Sequence, residues 1–348
     1  MTKQKLFSTR RYNPLTKSYI LVSPLRISRP WSQSLEEVLE ETFPDFDPNC
    51  YLCPGNTRST GETNPFYTQP FMFKNDFPSL SEVKKSSPSD TLSNSTFFKE
   101  TIERGTCEVI CYGPKHNTHF MHQSLDEIEA VILLWQERFI TISQDSTIKH
   151  IQLFETRGKE VGNSSPHPHC QIWAQTSIPT IPQLMLDSQT KYFQEHDKSL
   201  LIEYVQQELE KTDRIVTTVG DFVLLVPFWA EWPYEMYITA TEPISGLHKL
   251  TAKQSTDLAK ILKNASQIYA NFFQRPMNGA PYMMLVSQQP TTQNELSGVQ
   301  LFFRFICPLL TPARLKYQAG YEKSAEPQRD ITPEEAAKQL REVYNSLI

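Results

Sequence analysis

A chain of 348 residues with 34 Lys and Arg against 39 Asp and Glu, formal charge −5, can build one large domain or two of typical size, and it presents no general field for nucleic acid or an anionic membrane. No apolar run approaches about 18 residues and no secretory apolar stretch opens the chain, so a cytoplasmic protein without a membrane span is expected. Its six cysteines are too few and too scattered for a disulfide framework.

Taken in chain order, the first chemical signal is Arg26 and Arg29, two guanidinium forks beside Pro24 and Pro30 that suit phosphate oxygens. Cys50 and Cys53, spaced C-x-x-C, read as metal ligands or a redox pair, with two histidines from elsewhere needed for a tetrahedral zinc set. Spacing does not choose among His116, His119 and His122. Residues 78–96, rich in Ser, Lys, Pro and Asp, read as a mobile surface loop. A strand follows over 108–112, with Cys107 and Cys111 as core thiols.

Ser124 with Glu127 forms a capping signature, and Leu125, Ile128, Val131, Trp135 and Phe139 then recur at helical period. Strand-like 150–154 leads to the stretch Ser164-Ser165-Pro166-His167-Pro168-His169-Cys170-Gln171, which runs into 171–174. In an extended segment, residues i and i+2 share a side about 6–7 Å apart, and Pro168 stiffens it. A neutral imidazole at His169 can attack phosphorus at neutral pH, and Ser164, Ser165 and Gln171 are donors suited to a phosphoryl group.

The second half repeats the order. Strands at 222–227 and 236–238 precede a helix capped by Thr251 and Gln254, and strands at 281–286 and 301–306 follow it, with 287–299 as a loop. Arg304 stands opposite His169 in this repeat and Phe302 opposite His167, so chemistry belongs to the first half. A last helix starts at Thr332 and Pro333, with Glu335 in place to reach back. The fold expected is α+β, two duplicated halves of mainly antiparallel sheet with amphipathic helices packed on it. Their bounds are 1–190 for the zinc site and nucleophile and 191–348 for a substrate-binding tail.

Several runs accumulate into a family resemblance: Arg10-Arg11-Tyr12-Asn13-Pro14, Cys50-Tyr51-Leu52-Cys53-Pro54-Gly55-Asn56, Asn75-Asp76-Phe77, Pro166-His167-Pro168-His169, Pro227-Phe228-Trp229-Ala230-Glu231-Trp232-Pro233, Gly320-Tyr321-Glu322 and Gln328-Arg329-Asp330. In this order, over nearly the whole chain, they resemble galactose-1-phosphate uridylyltransferase of the histidine-triad superfamily. The resemblance implies a ping-pong exchange. UDP-glucose gives its uridylyl group to His169 and releases glucose 1-phosphate, and galactose 1-phosphate then takes the group to give UDP-galactose.

Carried over by position, the implied zinc ligands are Cys50, Cys53, His116 and His167. The zinc is structural, because four protein ligands leave no open coordination position. The implied catalytic set is His169, Gln171 and Ser164. Arg26 and Arg29 join Ser164 and Gln171 on phosphate, while Asn75, Asp76 and Phe77 meet uridine, with Thr156 and Gly162 also at the nucleotide. Lys316, Tyr317, Gly320, Tyr321, Glu322 and Gln328 form a sugar- and phosphate-binding tail that the family supplies from the other subunit, so a homodimer is implied.

The family's second metal site aligns with Met185, Ser287, Phe302 and Arg304, so no second metal is expected and Phe302 is expected to lie in apolar core. A glycine common in the family is Cys170, which adds volume beside His169, and an asparagine is Thr156, which reaches less far. These departures motivate a competing reading, a catalytically weak paralogue that binds nucleotide sugar in a regulatory role. Another nucleotidyl transfer, such as dinucleotide phosphorolysis, is a third.

Overall fold

The computed structural model describes residues 7–28, 41–81, 91–291 and 296–348. Strands β1 (Thr9–Asn13), β2 (Ser18–Val22), β3 (Phe71–Lys74), β4 (Thr91–Asn94), β5 (Lys99–Thr101) and β6 (Gly105–Cys111) lead to helix α1 (Leu125–Ser143). Then come β7 (His150–Arg157), β8 (His169–Gln175), α2 (Thr180–His196) and α3 (Leu200–Lys211). The second half holds β9 (Ile215–Val219), β10 (Phe222–Leu225), β11 (Met236–Ala240), α4 (Ala252–Phe272), β12 (Tyr282–Ser287) and β13 (Phe302–Ile306). The chain closes with β14 (Leu309–Thr311), β15 (Arg314–Leu315), α5 (Tyr321–Ser324), β16 (Gln328–Arg329) and α6 (Pro333–Leu347).

Nine strands form one sheet in the order β3-β6-β8-β7-β12-β13-β11-β10-β9. Every pair in it is antiparallel. Without β9 the order is a palindrome about the β7–β12 pair, where Phe154 faces Leu285 and Glu155 faces Met284. Each half contributes two strands, a helix and two strands. This is the duplicated α+β architecture expected from the repeated pattern.

Alternation along the central strands separates two faces. Ile151, Leu153, Cys170, Ile172, Phe303 and Phe305 enter the main core under α1 and α4. Gln152, Phe154, Thr156, His169, Gln171 and Trp173 lie on the other face, half-buried. Helix α1 buries Ile128, Val131, Ile132, Trp135 and Phe139, one stripe of helical period. Truncating a side chain as deep as Trp135 to Ala would cost about 3–5 kcal/mol.

Ser124 and Thr251 form complete capping boxes with Glu127 and Gln254. At Thr332 only half of the expected box forms. The hydroxyl accepts from the Glu335 N–H, while the Glu335 carboxylate accepts from Gln339 instead of reaching back.

The surface-loop reading of 78–96 is corrected at residues 91–94, because Thr91–Asn94 pairs with Lys99–Thr101 as a hairpin; residues 82–90 lie outside the described residues. Of 287–299, Ser287 ends β12 and residues 292–295 lie outside the described set. A small sheet, β1-β2-β16, joins the two chain ends, with β16 parallel to β2. Beside it Arg329, fully buried, donates to the carbonyls of Ala230, Pro233 and Ile331. The Gln328-Arg329-Asp330 run thereby pins the Pro227–Pro233 run.

Candidate active site and metal centre

Cys50 and Cys53 sit in a tight turn, tied by the Cys53 N–H to the Cys50 carbonyl. Their thiols, His116 and His167 place one ligand atom each within 4.8 Å of one another, all buried. Cys53 Sγ lies 3.6 Å from His116 Nδ1 and 3.5 Å from His167 Nδ1. Sulfur and nitrogen at about 2.3 and about 2.0–2.1 Å from a tetrahedral ion are about 3.6 Å apart, so these separations fit two edges of such a site.

The outer contacts agree. His167 Nε2 lies 3.0 Å from the Gly113 carbonyl. A carbonyl only accepts, so Nε2 carries the proton and Nδ1 keeps a lone pair for an ion. Burial pushes the Cys53 thiol up to about 12, with Cys50 adding to the rise, and drives His167 down to about 3. A thiolate in this enclosure would need a cation beside it, a role that a divalent metal would fill. His119 takes another role, with its ring against the Arg157 guanidinium; burial first, then Arg157, hold it well below its usual range.

The Cys50, Cys53, His116 and His167 cluster adjoins the strand bearing His169. His167 lies two residues before β8, and the Tyr112 N–H holds the Pro168 carbonyl at 2.9 Å. Cys111 pairs with His169 across β6 and β8. His169 Nδ1 lies 2.8 Å from the His167 carbonyl, which fixes Nδ1 as the protonated nitrogen and leaves the Nε2 lone pair free. Burial lowers the His169 pKa against that hydrogen bond, which favours the neutral ring.

Gln171 is on the same strand face, and its Oε1 accepts from Trp173 Nε1 at 3.0 Å and Asn75 Nδ2 at 3.2 Å. Ser164 is exposed, 3.4 Å from the Tyr51 hydroxyl. Gly162 ends the turn Lys159–Val161 with φ +87°, a left-handed conformation that disfavours any side chain. Asp76 pairs with Arg58 at 3.2 Å, and Phe77 is 76% exposed, an open aromatic face. Thr156 faces the same side as Phe154, in register with Met283.

Cys170 does not crowd His169. Its side chain points to the opposite face, 1% exposed, and accepts the Trp135 indole N–H at 3.2 Å. Burial pushes its thiol up, so it is a core group and not a reactive one.

The structure does not join the remaining candidates to His169 within the chain. Arg26 Nε binds Asp330 at 3.0 Å, and Asp330 also accepts from Gln328 Nε2. Lys316 pairs with Glu322 at 2.6 Å, while Tyr317 and Tyr321 are 71% and 53% exposed. No hydrogen bond or ion pair among the described residues links this tail to His169, Gln171 or Ser164. Arg29 lies outside the described residues.

At the aligned second site, Phe302 is buried and stacks on Tyr237 with centroids 5.2 Å apart, and Met185 packs on the same cluster. Arg304 bonds Glu235 at 2.7 Å and Glu231 at 3.0 Å.

The sequence reading missed Tyr67, whose hydroxyl lies 3.2 Å from His167 Nε2, and Trp173. The second had a signal: it follows Gln171 by two residues on a strand. A cavity of about 460 Å³ opens beside Ser164, Ser165, His119 and Arg157, but His169 and Gln171 do not line it.

The family model for the galactose-1-phosphate uridyl transferase N-terminal domain matches residues 1–179, and the model for its C-terminal domain matches residues 185–347. A galactose-1-phosphate uridylyltransferase of Haemophilus influenzae is 40% identical over 95% of this chain and 93% of its own. One from Rattus norvegicus is 38% identical over 95% of this chain and 86% of its own. Among solved structures, a uridylyltransferase superposes with TM-score 0.76 at 24% identity, over 98% of this chain and 100% of that one. An ADP-glucose phosphorylase from Arabidopsis thaliana with bound ADP-glucose gives 0.74 at 22%, over 97% and 99%. At these identities the two structures speak for the fold alone.

Proposed function

The chain belongs to the galactose-1-phosphate uridylyltransferase family and is a nucleotidyltransferase, and from that premise we propose that it exchanges a uridylyl group between UDP-glucose and galactose 1-phosphate in two displacements at His169. In the first, Nε2 attacks the α-phosphorus; a P–N bond forms as the P–O bond to glucose 1-phosphate breaks. In the second, a phosphate oxygen of galactose 1-phosphate attacks; a P–O bond forms and the P–N bond breaks. Both leaving groups depart without needing a proton, so the site calls for no separate general acid.

The observation that carries this reading is the Nδ1–H contact to the His167 carbonyl at 2.8 Å. It presents the free nitrogen in one orientation and steadies the positive charge that the ring acquires on attack. Gln171 and Ser164 then donate to phosphoryl oxygens, and Arg26 and Arg29 offset their charge. Asn75, Asp76, Phe77, Thr156 and Gly162 receive the nucleotide.

Cys50, Cys53, His116 and His167 would hold a zinc ion, whose closed coordination fixes the segment entering β8 and leaves no place for substrate. We read 1–190 as the half carrying this machinery and 191–348 as the half carrying the tail of Lys316, Tyr317, Gly320, Tyr321, Glu322 and Gln328. The exposure of Tyr317 and Tyr321 supports a homodimer in which each tail completes its partner's site. Six buried, unbridged cysteines favour a reducing compartment, the cytoplasm.

Exchange of label between glucose 1-phosphate and UDP-glucose, with no galactose 1-phosphate present, tests the order of events. Two displacements require this exchange. A protein that makes UDP-galactose but shows no partial exchange would work by direct transfer, and the covalent reading would fall.

A further inference from the structure

We propose that Trp173 is a positioning residue that, together with Asn75, locks the side-chain amide of Gln171 so that its NH2 group faces the phosphoryl oxygens. The inference rests on the uridylyl-transfer reading of the site and adds to it a residue that does not touch substrate.

An amide can sit in two orientations that fill the same space, and only one offers donors to a phosphate. Here the chemistry of the neighbours decides between them. The Trp173 indole N–H lies 3.0 Å from a terminal atom of Gln171. An indole nitrogen can only donate, so that atom must be the oxygen.

Asn75 repeats the argument one step back. Its Oδ1 meets the backbone N–H of Phe77 at 2.9 Å, and a backbone N–H also only donates, so its Nδ2 must turn toward Gln171, which it reaches at 3.2 Å. The backbone of Asn75 is held in turn by the Cys107 carbonyl at 2.9 Å.

Both lone pairs of Gln171 Oε1 are thereby used. No hydrogen bond among the described residues engages Gln171 Nε2, which remains free on the face that His169 shares. Trp173 itself is steadied edge-on by Phe154, centroids 5.5 Å apart at 78°, and Phe154 is the register partner of Gln171. In the reversed orientation the NH2 group would face the Trp173 indole N–H and Asn75 Nδ2, donor against donor, and the carbonyl oxygen would face the negative phosphoryl oxygens, which it repels. The lock removes that state before substrate arrives, the preorganisation that transition-state stabilisation requires.

Trp173→Phe keeps the ring and removes the N–H. It should lower kcat in both half-reactions roughly tenfold to hundredfold, with the KM for UDP-glucose little changed, while Gln171→Ala alone should lose roughly a hundredfold. The decisive readout is the double mutant: in the Gln171→Ala background, Trp173→Phe should have no further effect, because its action passes through that amide. Equal losses in both backgrounds, or full activity of Trp173→Phe, would overturn the proposal.

Should Trp173→Phe fail to fold, replacing Trp173 by benzothienylalanine, a ring of the same shape with sulfur in place of the N–H, gives the same comparison. Partial exchange in the unsubstituted protein is measured alongside. Absence of both partial exchange and UDP-galactose formation overturns the transfer reading and this proposal with it, whereas activity present with additive losses overturns the role of Trp173 alone.

Discussion

Strands β8 and β13 occupy mirror positions in one sheet, yet their outer faces are built from opposite materials. On β8 the face carries His169 and Gln171, behind a buried cluster of two thiols and two imidazoles. On β13 it carries Phe302, stacked on Tyr237, and Arg304, clamped by Glu231 and Glu235. Burial works against the Arg304 charge, and the two carboxylates outweigh it. Duplication thus supplied two equivalent strand positions. In the reading proposed above, the first is stiffened by a cluster suited to a metal ion and carries the nucleophile; the second is held by an aromatic stack and an ion pair and carries no histidine.

The largest effect that can break this contrast is His169→Gly. It should abolish partial exchange, by on the order of 10⁴-fold or more, with an unchanged circular dichroism spectrum. Activity surviving in a folded variant would move the chemistry elsewhere. Next comes Cys53→Ser, which should take metal content from about one zinc per chain to near zero and cost on the order of 5 kcal/mol of stability or more, read by elemental analysis and denaturant unfolding. Undiminished stability in the metal-free variant would deny the cluster its structural role.

Arg304→Met attacks the other half. Leaving Glu235 buried without its partner should cost about 3–5 kcal/mol, while partial exchange by the folded fraction stays within roughly threefold of normal. A stability loss matched by a hundredfold loss of exchange would mean that the halves are not separable in this way.

The smallest effect lies where the second half meets the chain start. Burial alone would raise the Glu334 pKa, but hydrogen bonds from Arg11 and Arg214 outweigh it and hold the carboxyl down to about 2. A depressed folded-state pKa gives stability that is present above the unfolded value near 4.5 and is lost as pH falls toward 2. Glu334→Gln should therefore cost roughly 1–3 kcal/mol at pH 7, the difference narrowing below about pH 4.5 and closing toward pH 2. A cost that does not change with pH would assign the effect to packing instead.

Much of this was readable before any coordinates. Capping hydroxyls at Ser124 and Thr251 mark helix starts because they are local chemistry. Cys50, Cys53 and the His-Pro-His run likewise announce their elements through spacing. Spacing could not choose His116 over His119, since that choice depends on which ring the loop after β6 folds against the Cys turn; only the family resemblance made it. Helix α2 went unread because the residues it buries include Ser188 and Gln189, leaving little apolar period to see. The lock on Gln171 was hidden for a third reason: Asn75 and Trp173 meet only after β3, β6 and β8 are assembled side by side.

The most direct test of the central claim, a nucleophile prepared by its own backbone and steadied by the cluster behind it, is incubation with UDP-glucose labelled in the α-phosphate. Intact mass and peptide mapping then locate the label. The account predicts a stoichiometric, acid-labile uridylyl adduct on His169 that galactose 1-phosphate discharges to UDP-galactose. Measurable UDP-glucose binding with no adduct, or an adduct on another residue, would contradict it.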